Sequence, residues 1–376
     1  MPAVLSRHTR YGAEPVENHK FIRDYDLTEF EYQALLTTII NENATDLKRV
    51  QNAIALATQL KVVYARYLAN KREAYRLKRN IAQLQHILNP DTKLLPDDPE
   101  LHPSLFIRKH TREKNPVRLF IGRLLRQQRT LLLIISATSQ YAKTVRDIDK
   151  NLAPILSWAS WTFFIPRLLN NFYMLAKHLI KHDGMSEEEK RLSFYLRLRI
   201  QLTNRWPELA NDIAWFVVNY IIFRTADIAT GTTLSAALQL YDVLIAIYRR
   251  IHEINKYNNI KEAYQKLPED KQDKKYIVSL EAWIHYETRQ RNVLLINFTL
   301  VLLTYLITIP LVTTSIELMI IGTTCSALLS IATYITQQYT EKYHRPPTDL
   351  SKLGLFKSPG DDSAPNTDVS KHLKHA

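Results

Sequence analysis

Glycine is scarce in this chain, 7 residues among 376, and that scarcity excludes much. Tight hairpin turns, closely wound strands and phosphate-cradling loops all depend on glycine's freedom at positive φ. The periodic stretches are built instead from Leu, Ile, Ala, Arg, Lys and Gln, residues that favour helices. An all-α fold follows. Cysteine is scarcer still: the lone Cys325 forbids an internal disulfide, and its place inside an apolar run makes it a small core residue. The N-terminal stretch Met1-Pro-Ala-Val-Leu-Ser-Arg-His-Thr-Arg turns polar at once, without the apolar segment of a secretory signal. The C-terminal end carries no standard lipidation or retention motif. No phosphate loop, nucleophile elbow or paired CxxC occurs. The expectation is a protein that is not an enzyme and takes no cofactor.

Charge is abundant and unbalanced: 50 Lys and Arg against 37 Asp and Glu give a formal +13. Such an excess speaks of partners rather than fold, and anionic lipid, nucleic acid and acidic protein all qualify. Its position decides between them. Arg108, Lys109, Arg112, Lys114, Arg118, Arg123, Arg126 and Arg129 crowd one segment with only Glu113 opposing, and apolar Leu131 to Ala137 follows directly. Leu119, Phe120, Leu124 and Leu125 interleave at helical spacing. An amphipathic helix on anionic headgroups fits this pattern, its guanidinium groups snorkelling to phosphates; a soluble amphipathic helix is the plainer alternative. No recognition helix or RNA-binding signature accompanies the basic segments, so nucleic acid is set aside. Trp158, Trp161, Phe163, Phe164, Phe172 and Tyr173 then cluster around Pro154 and Pro166. Aromatics at that density mark an interfacial or re-entrant segment, or else an aromatic core. Residues 105–184 thus form one basic and aromatic region.

Before that region, residues 1–26 lack periodicity and read as a flexible lead-in. Residues 27–88 read as a helical hairpin: one helix from Leu27 to Ile40, then a second capped by Asn43 or Thr45. The second carries Ala53, Leu56, Leu60, Val63, Tyr67, Asn70, Ala74, Leu77, Ile81, Leu84 and Leu88 at alternating spacings of three and four, a coiled-coil seam. Asn70 would fix its register, or else mark a locally exposed turn within a helical bundle. Its partner would be another helical protein, a second copy, or the first helix itself. Lys71, Arg72, Arg76, Lys78 and Arg79 form a solvated face. Four prolines between Pro90 and Pro103 make 89–104 a linker.

Residues 186–255 hold a second hairpin. Ser186 and Glu189 match a capping box opening a helix to Leu202. Leu209 to Phe223 and Leu234 to Tyr248 are apolar but short for full spans. Asp212, Arg224, Asp227 and Asp242 lie in or beside them, and ionisable groups at bilayer depth must be paired or wet. A buried soluble hairpin and a thin membrane hairpin both remain open; basic flanks favour the membrane. After a charged connector and helix at 256–292 comes the strongest signal, a transmembrane hairpin at 293–340. Val293 to Ile309 is uncharged, Pro310 breaks it, and Ile316 to Ile335 has Glu317 alone, near the turn. Arg289 and Arg291 before it and Lys342 and Arg345 after it place both ends in the cytoplasm. The resulting protein is multi-pass. Gly322, Thr323, Ser326, Ala327 and Ser330 offer a small-residue packing face. Residues 345–376 read as a disordered tail.

The stretch Arg205-Trp206-Pro207-Glu208-Leu209-Ala210-Asn211-Asp212-Ile213-Ala214-Trp215, followed by an apolar hairpin, resembles a segment of uncharacterised multi-helix membrane proteins of intracellular bacteria, some considered secreted effectors. The resemblance implies a host membrane as destination and carries no functional residue onto this chain. Three functions fit. The leading expectation is a membrane-anchored scaffold or adaptor. The second is a channel or transporter component using Asp212, Arg224, Asp227 and Asp242. Last is a membrane-surface enzyme, resting on His178, His182 and Asp183 alone. His178 and His182 share a helix face but lack further ligands for a metal, and His285, Tyr286 and Glu287 scatter over different faces.

Overall fold

The computed structural model describes residue 22, residues 24–96, 168–203, 205–224, 228–269, 272–308 and 315–353, and isolated helical positions between 117 and 165. Every regular element among them is helical. Helix α1 spans Tyr25–Asn41. The turn after it holds Asn43 and Ala44 at φ 49° and 57°, left-handed backbone in which Asn is at least common. Asn43 therefore serves the turn, and the cap of α2, Leu47–Val62, is Asp46 rather than the expected Asn43 or Thr45. The Asp46 carboxylate accepts from the backbone N–H of Lys48 and Arg49 at 3.0 and 3.3 Å.

The long second helix expected through Leu88 is broken in two. A π-helical turn at Val63–Tyr67 leads to Ala69 at φ 46°, and the Asn70 side chain accepts from the N–H of Glu73 at 3.3 Å to cap α3, Lys71–Leu88. Asn70 is thus a cap and fixes no register. Helix α2 packs on α1 and α3, and α3 reaches α1 through Asn80 on Tyr32 and Arg76 on Glu29. Ala53, Leu56, Leu60, Val63, Tyr67, Leu77, Ile81 and Leu84 are all buried, so these seam positions close on the chain's own helices and present no open stripe to a second copy or a helical partner.

The capping-box helix is likewise split. Ser186 caps α4, Glu187–Arg191, and Ser193 caps α5, Phe194–Leu202, by accepting from Leu196 N–H at 3.3 Å. Next come α6, Trp206–Arg224, α7, Ile228–Gln265, α8, Lys274–Thr308, and α9, Ile316–His344. At 1.5 Å per residue, α7 and α8 are each longer than about 50 Å. Both therefore run through two zones.

The first zone, the head, is a close-packed bundle. Phe30, Leu35, Leu36 and Ile39 of α1 meet α2, α3, Ile260, Tyr264 and Leu267 near the end of α7, and Tyr276, Leu280 and Trp283 of α8. The charged connector expected at the start of 256–292 is accordingly helical to Gln265 and buries apolar residues in the head. The expected tail also begins with structure: Pro346 is buried, and a single 3-10 turn, Leu350–Leu353, packs on α1 with Leu350 in the core. The Thr37 hydroxyl reaches the Pro347 carbonyl at 2.8 Å and accepts from the Trp283 indole N–H at 2.9 Å. Residues 354–376 lie outside the described residues.

The second zone, the stem, consists of α6, the first half of α7, the second half of α8, and α9. Small residues allow its close contacts. Ala236 and Ala246 of α7 pack on Val301 and Phe298 of α8, and Gly322, Thr323, Ser326 and Ser330 of α9 are buried. Gln127 donates to the Ser326 and Ser330 hydroxyls at 2.7 and 3.0 Å. The small-residue face is packing, as its composition implied. Cys325, expected in the core, lies instead on the outer side of α9 and is exposed.

Candidate functional site

All eight residues singled out as lipid-contacting, Arg108, Lys109, Arg112, Lys114, Arg118, Arg123, Arg126 and Arg129, lie outside the described residues. So do Trp158, Trp161, Phe163, Phe164 and Asp227, and the side chain of Arg224. Phe172 and Tyr173 are exposed. His178 and His182 do not converge. His178 is buried against Glu189, Nδ1 to Oε1 2.5 Å, while His182 is exposed. The described residues contain no cluster of side chains able to hold a metal. His285 is exposed, whereas Glu287 turns inward toward Arg291.

The two remaining carboxylates, Asp212 and Asp242, are buried inside the stem. Helix α6 brings them to one place. Asp212 and Trp215, three residues apart, share its buried face, and the Trp215 indole N–H donates to Asp242 Oδ1 at 3.3 Å. One turn or more earlier, Trp206 packs edge-on against Tyr248 of α7, ring centres 4.6 Å apart, with its N–H 3.3 Å from the phenol oxygen. The tryptophans of the Arg205 to Trp215 stretch are therefore the contacts by which α6 docks on α7.

Beside Asp242 is a cavity of about 220 Å³ between α6, α7, α8 and α9. Its walls are helical stripes: Asp242, Ile245, Ala246 and Arg249 on α7; Arg291, Leu294 and Phe298 on α8; Ser330, Thr333, Tyr334 and Gln337 on α9. Spacings of three, four and seven put each set on one helix face. Asn211 of α6 and Phe120, stacked 4.7 Å from Tyr334, complete the wall. Because α7 and α9 run toward the head and α8 runs away from it, one level is shared by Arg249, Arg291 and Gln337. The Gln290 amide, 3.4 Å from the Gln337 carbonyl, ties α8 to α9 at that level. Asp242, Phe298 and Ser330 lie about two helical turns, roughly 10 Å, deeper.

At the level of the mouth the stem meets the head through charge. Arg291 lies 3.4 Å from Glu287 and 3.9 Å from Glu253, Lys256 pairs with Glu253 at 2.7 Å, and Asp26 and Glu29 of α1 line the adjoining hollow. Burial pushes the Glu287 carboxyl above its ordinary value, against the lowering pull of Arg291.

Arg249, Arg291, Asn211 and Gln337 were not singled out from the sequence as a site. In the sequence Arg249 and Arg291 are basic residues at the ends of apolar runs. The one local signal is that Asp242 and Arg249, seven residues apart, fall on one helix face at the end of an apolar run. Comparison with known proteins places the chain nowhere: no family model, no curated protein and no solved structure matches it.

Proposed function

We propose that this protein is a membrane-anchored helical scaffold whose stem sits in a bilayer and holds the head at one membrane face. The observation that carries this reading is the outer surface of α9. Among the described residues it is the one helix long and apolar enough to cross a membrane. No Asp, Glu, Lys, Arg or His interrupts it from Leu318 to Thr340, and Leu318, Ile321, Leu328, Ile331 and Ile335 are exposed. From Leu318 to Ile335 is about 25 Å of helix axis, close to the thickness of a hydrocarbon core. Exposed Tyr339 and Tyr343 follow, where aromatic residues meet headgroups. The neighbouring surface agrees: Leu240, Leu244 and Ile247 of α7 and Ile296, Leu300, Leu303 and Leu306 of α8 are also exposed. So large an apolar exposure on a soluble monomer would be an aggregation liability. In this reading α8 from Val293 and α9 form a hairpin with both its head-side ends on the side of anionic headgroups.

The test is membrane fractionation of the full chain and of Leu328→Lys. Wild-type protein should stay with the membrane through high salt and alkali. The lysine, near mid-bilayer and costing about 3 kcal/mol there, should lower the inserted fraction. Wild-type protein released by alkali, or Leu328→Lys inserted as fully as wild type, would refute the anchor. A second reading, a solute-handling membrane protein, is favoured by the cavity beside Asp242, since a carboxylate kept in an apolar zone marks function more often than packing.

A further inference from the structure

We infer that residues 168–180 form a second membrane contact, an amphipathic helix laid on the anionic headgroup region of the bilayer beside the stem. The inference rests on the anchor proposed above and adds what steadies the head against the membrane. Residues 168–179 are helical, and Ile180 closes the last turn on the Ala176 carbonyl at 2.9 Å. Leu169, Phe172, Tyr173, Ala176 and Ile180 fall within a stripe about 100° wide. In a soluble bundle such a stripe is the buried one. Here all five are exposed, Leu169, Tyr173 and Ile180 by 62%, 62% and 67%. The packed face is the opposite one. Met174 and His178 are buried there, His178 Nδ1 lies 2.5 Å from Oε1 of Glu189 in α4, and Arg197 of α5 donates to the Leu179 carbonyl at 3.1 Å. About one turn before Arg197, Phe194 and Tyr195 are exposed as well.

Charge and position both identify what covers this face. Lys177 and Lys181 flank the stripe, and Arg191 and Arg199 are exposed on the adjoining helices. The acidic residues of the same region are already engaged. Glu187 pairs with Lys190 at 2.8 Å, Glu188 with Arg66 and Glu189 with His178, and Asp183 lies in the field of Lys190. The outward charge is thus positive beside an apolar stripe, the complement of anionic headgroups over acyl chains, and long cationic side chains can lie along the apolar part with their heads on phosphate. As to position, Leu192 and Ile200 pack with Tyr25 and Tyr64, and these two tyrosines line the hollow in which Glu253 and Arg291 join head to stem. Just beyond α5, Trp206 packs on Tyr248, next to Arg249 at the mouth of the stem cavity. The helix is therefore fastened where the stem leaves the head, the level at which a spanning α9 meets headgroups. A single convex helix face suits a lipid surface, which asks for no matching groove.

The experiment is fluorescence quenching of the full chain in vesicles of phosphatidylcholine and phosphatidylglycerol. A nitrobenzoxadiazole dye is attached through Tyr173→Cys or Ile180→Cys, each with Cys325→Ser, and the quenchers are lipids spin-labelled near the headgroup or deep in the acyl chain. Glu187→Cys, at an exposed position of α4, is the control outside the stripe. Wild-type protein labelled at Cys325 reports the anchor separately. Dyes at positions 173 and 180 should be quenched by the headgroup-level lipid about two-fold or more beyond the control, and that quenching should fall in vesicles of phosphatidylcholine alone. If both dyes are quenched no more than the control while the Cys325 dye is quenched by the deep lipid, the surface contact is overturned and the anchor stands. If instead the Cys325 dye escapes the deep lipid, the anchor fails, and quenching at positions 173 and 180 still decides the surface contact. Dyes at 173 and 180 with water-shielded emission that neither lipid quenches would mean that protein covers the stripe, which also overturns the inference. Quenching that is unchanged without phosphatidylglycerol overturns its anionic character.

Discussion

At the residue scale, a few polar side chains do work that composition does not reveal. Thr37 is buried, and its hydroxyl links three elements: it accepts from Trp283 of α8 and reaches the carbonyls of Pro347 and of Gln33 in its own helix at 2.8 and 3.1 Å. Thr37→Val keeps the shape and strands the indole N–H, so it should cost about 2 kcal/mol of head stability, read as a lowered unfolding midpoint. Glu287 behaves oppositely, since its ionised form is disfavoured in the fold. Burial raises its folded value above that of the unfolded chain, so its contribution is fullest at low pH and is lost as pH rises through the raised value. Glu287→Gln should therefore match wild type in melting temperature around pH 4 and exceed it around pH 7. An advantage that instead shrinks with rising pH would contradict the assignment. Neither role was legible in the sequence, because both depend on residues more than 30 positions away or on burial at a boundary between zones.

At the element scale, local periodicity gave the helices and tertiary competition gave their ends. The seam from Ala53 to Leu88 has an apolar repeat with one polar entry, Asn70, and the chain folds back at Leu68 to Asn70 so that α2 and α3 pack on each other. The hinge is visible afterwards in Asn70, an efficient cap, and in Ala69, an uncomfortable occupant of φ 46°. Asn70→Ala should destabilise the head by about 1 kcal/mol, and Ala69→Gly should stabilise it by up to about 1 kcal/mol by relieving the left-handed backbone. Chemical or thermal unfolding of the two variants checks both signs. If Ala69→Gly is the more destabilising of the pair, the hinge is not where the structure puts it. The same logic explains α4 and α5: two serine caps, Ser186 and Ser193, seven residues apart, signal two helix starts where periodicity alone suggested one.

At the scale of the whole molecule, an all-α chain with a helical N-terminal bundle and a strongly apolar end was legible from residue types alone. The cavity was not, since a site assembled from stripes on α7, α8 and α9 needs the relative rotation of the helices, and a single sequence does not encode that in any local pattern. Asp212 and Asp242 are recognisable as charges in apolar runs; Arg249 and Arg291, at the ends of such runs, give no local sign that they line one cavity. What organises the molecule is the division of α7 and α8 into a head half, whose inner apolar face is buried in the bundle, and a stem half whose outer surface is apolar and exposed among the described residues. That division is the central claim.

The chain carries its own reporter of it. Cys325 is exposed on the outer side of α9, two turns from Leu318 and one from Leu328. Labelling native membranes with a membrane-impermeant maleimide requires no substitution at all. A stem in the bilayer predicts that Cys325 is unreactive in intact membranes and becomes fully reactive once the chain is unfolded in SDS. Prompt labelling of the folded protein in intact membranes would place α9 in water and contradict the account.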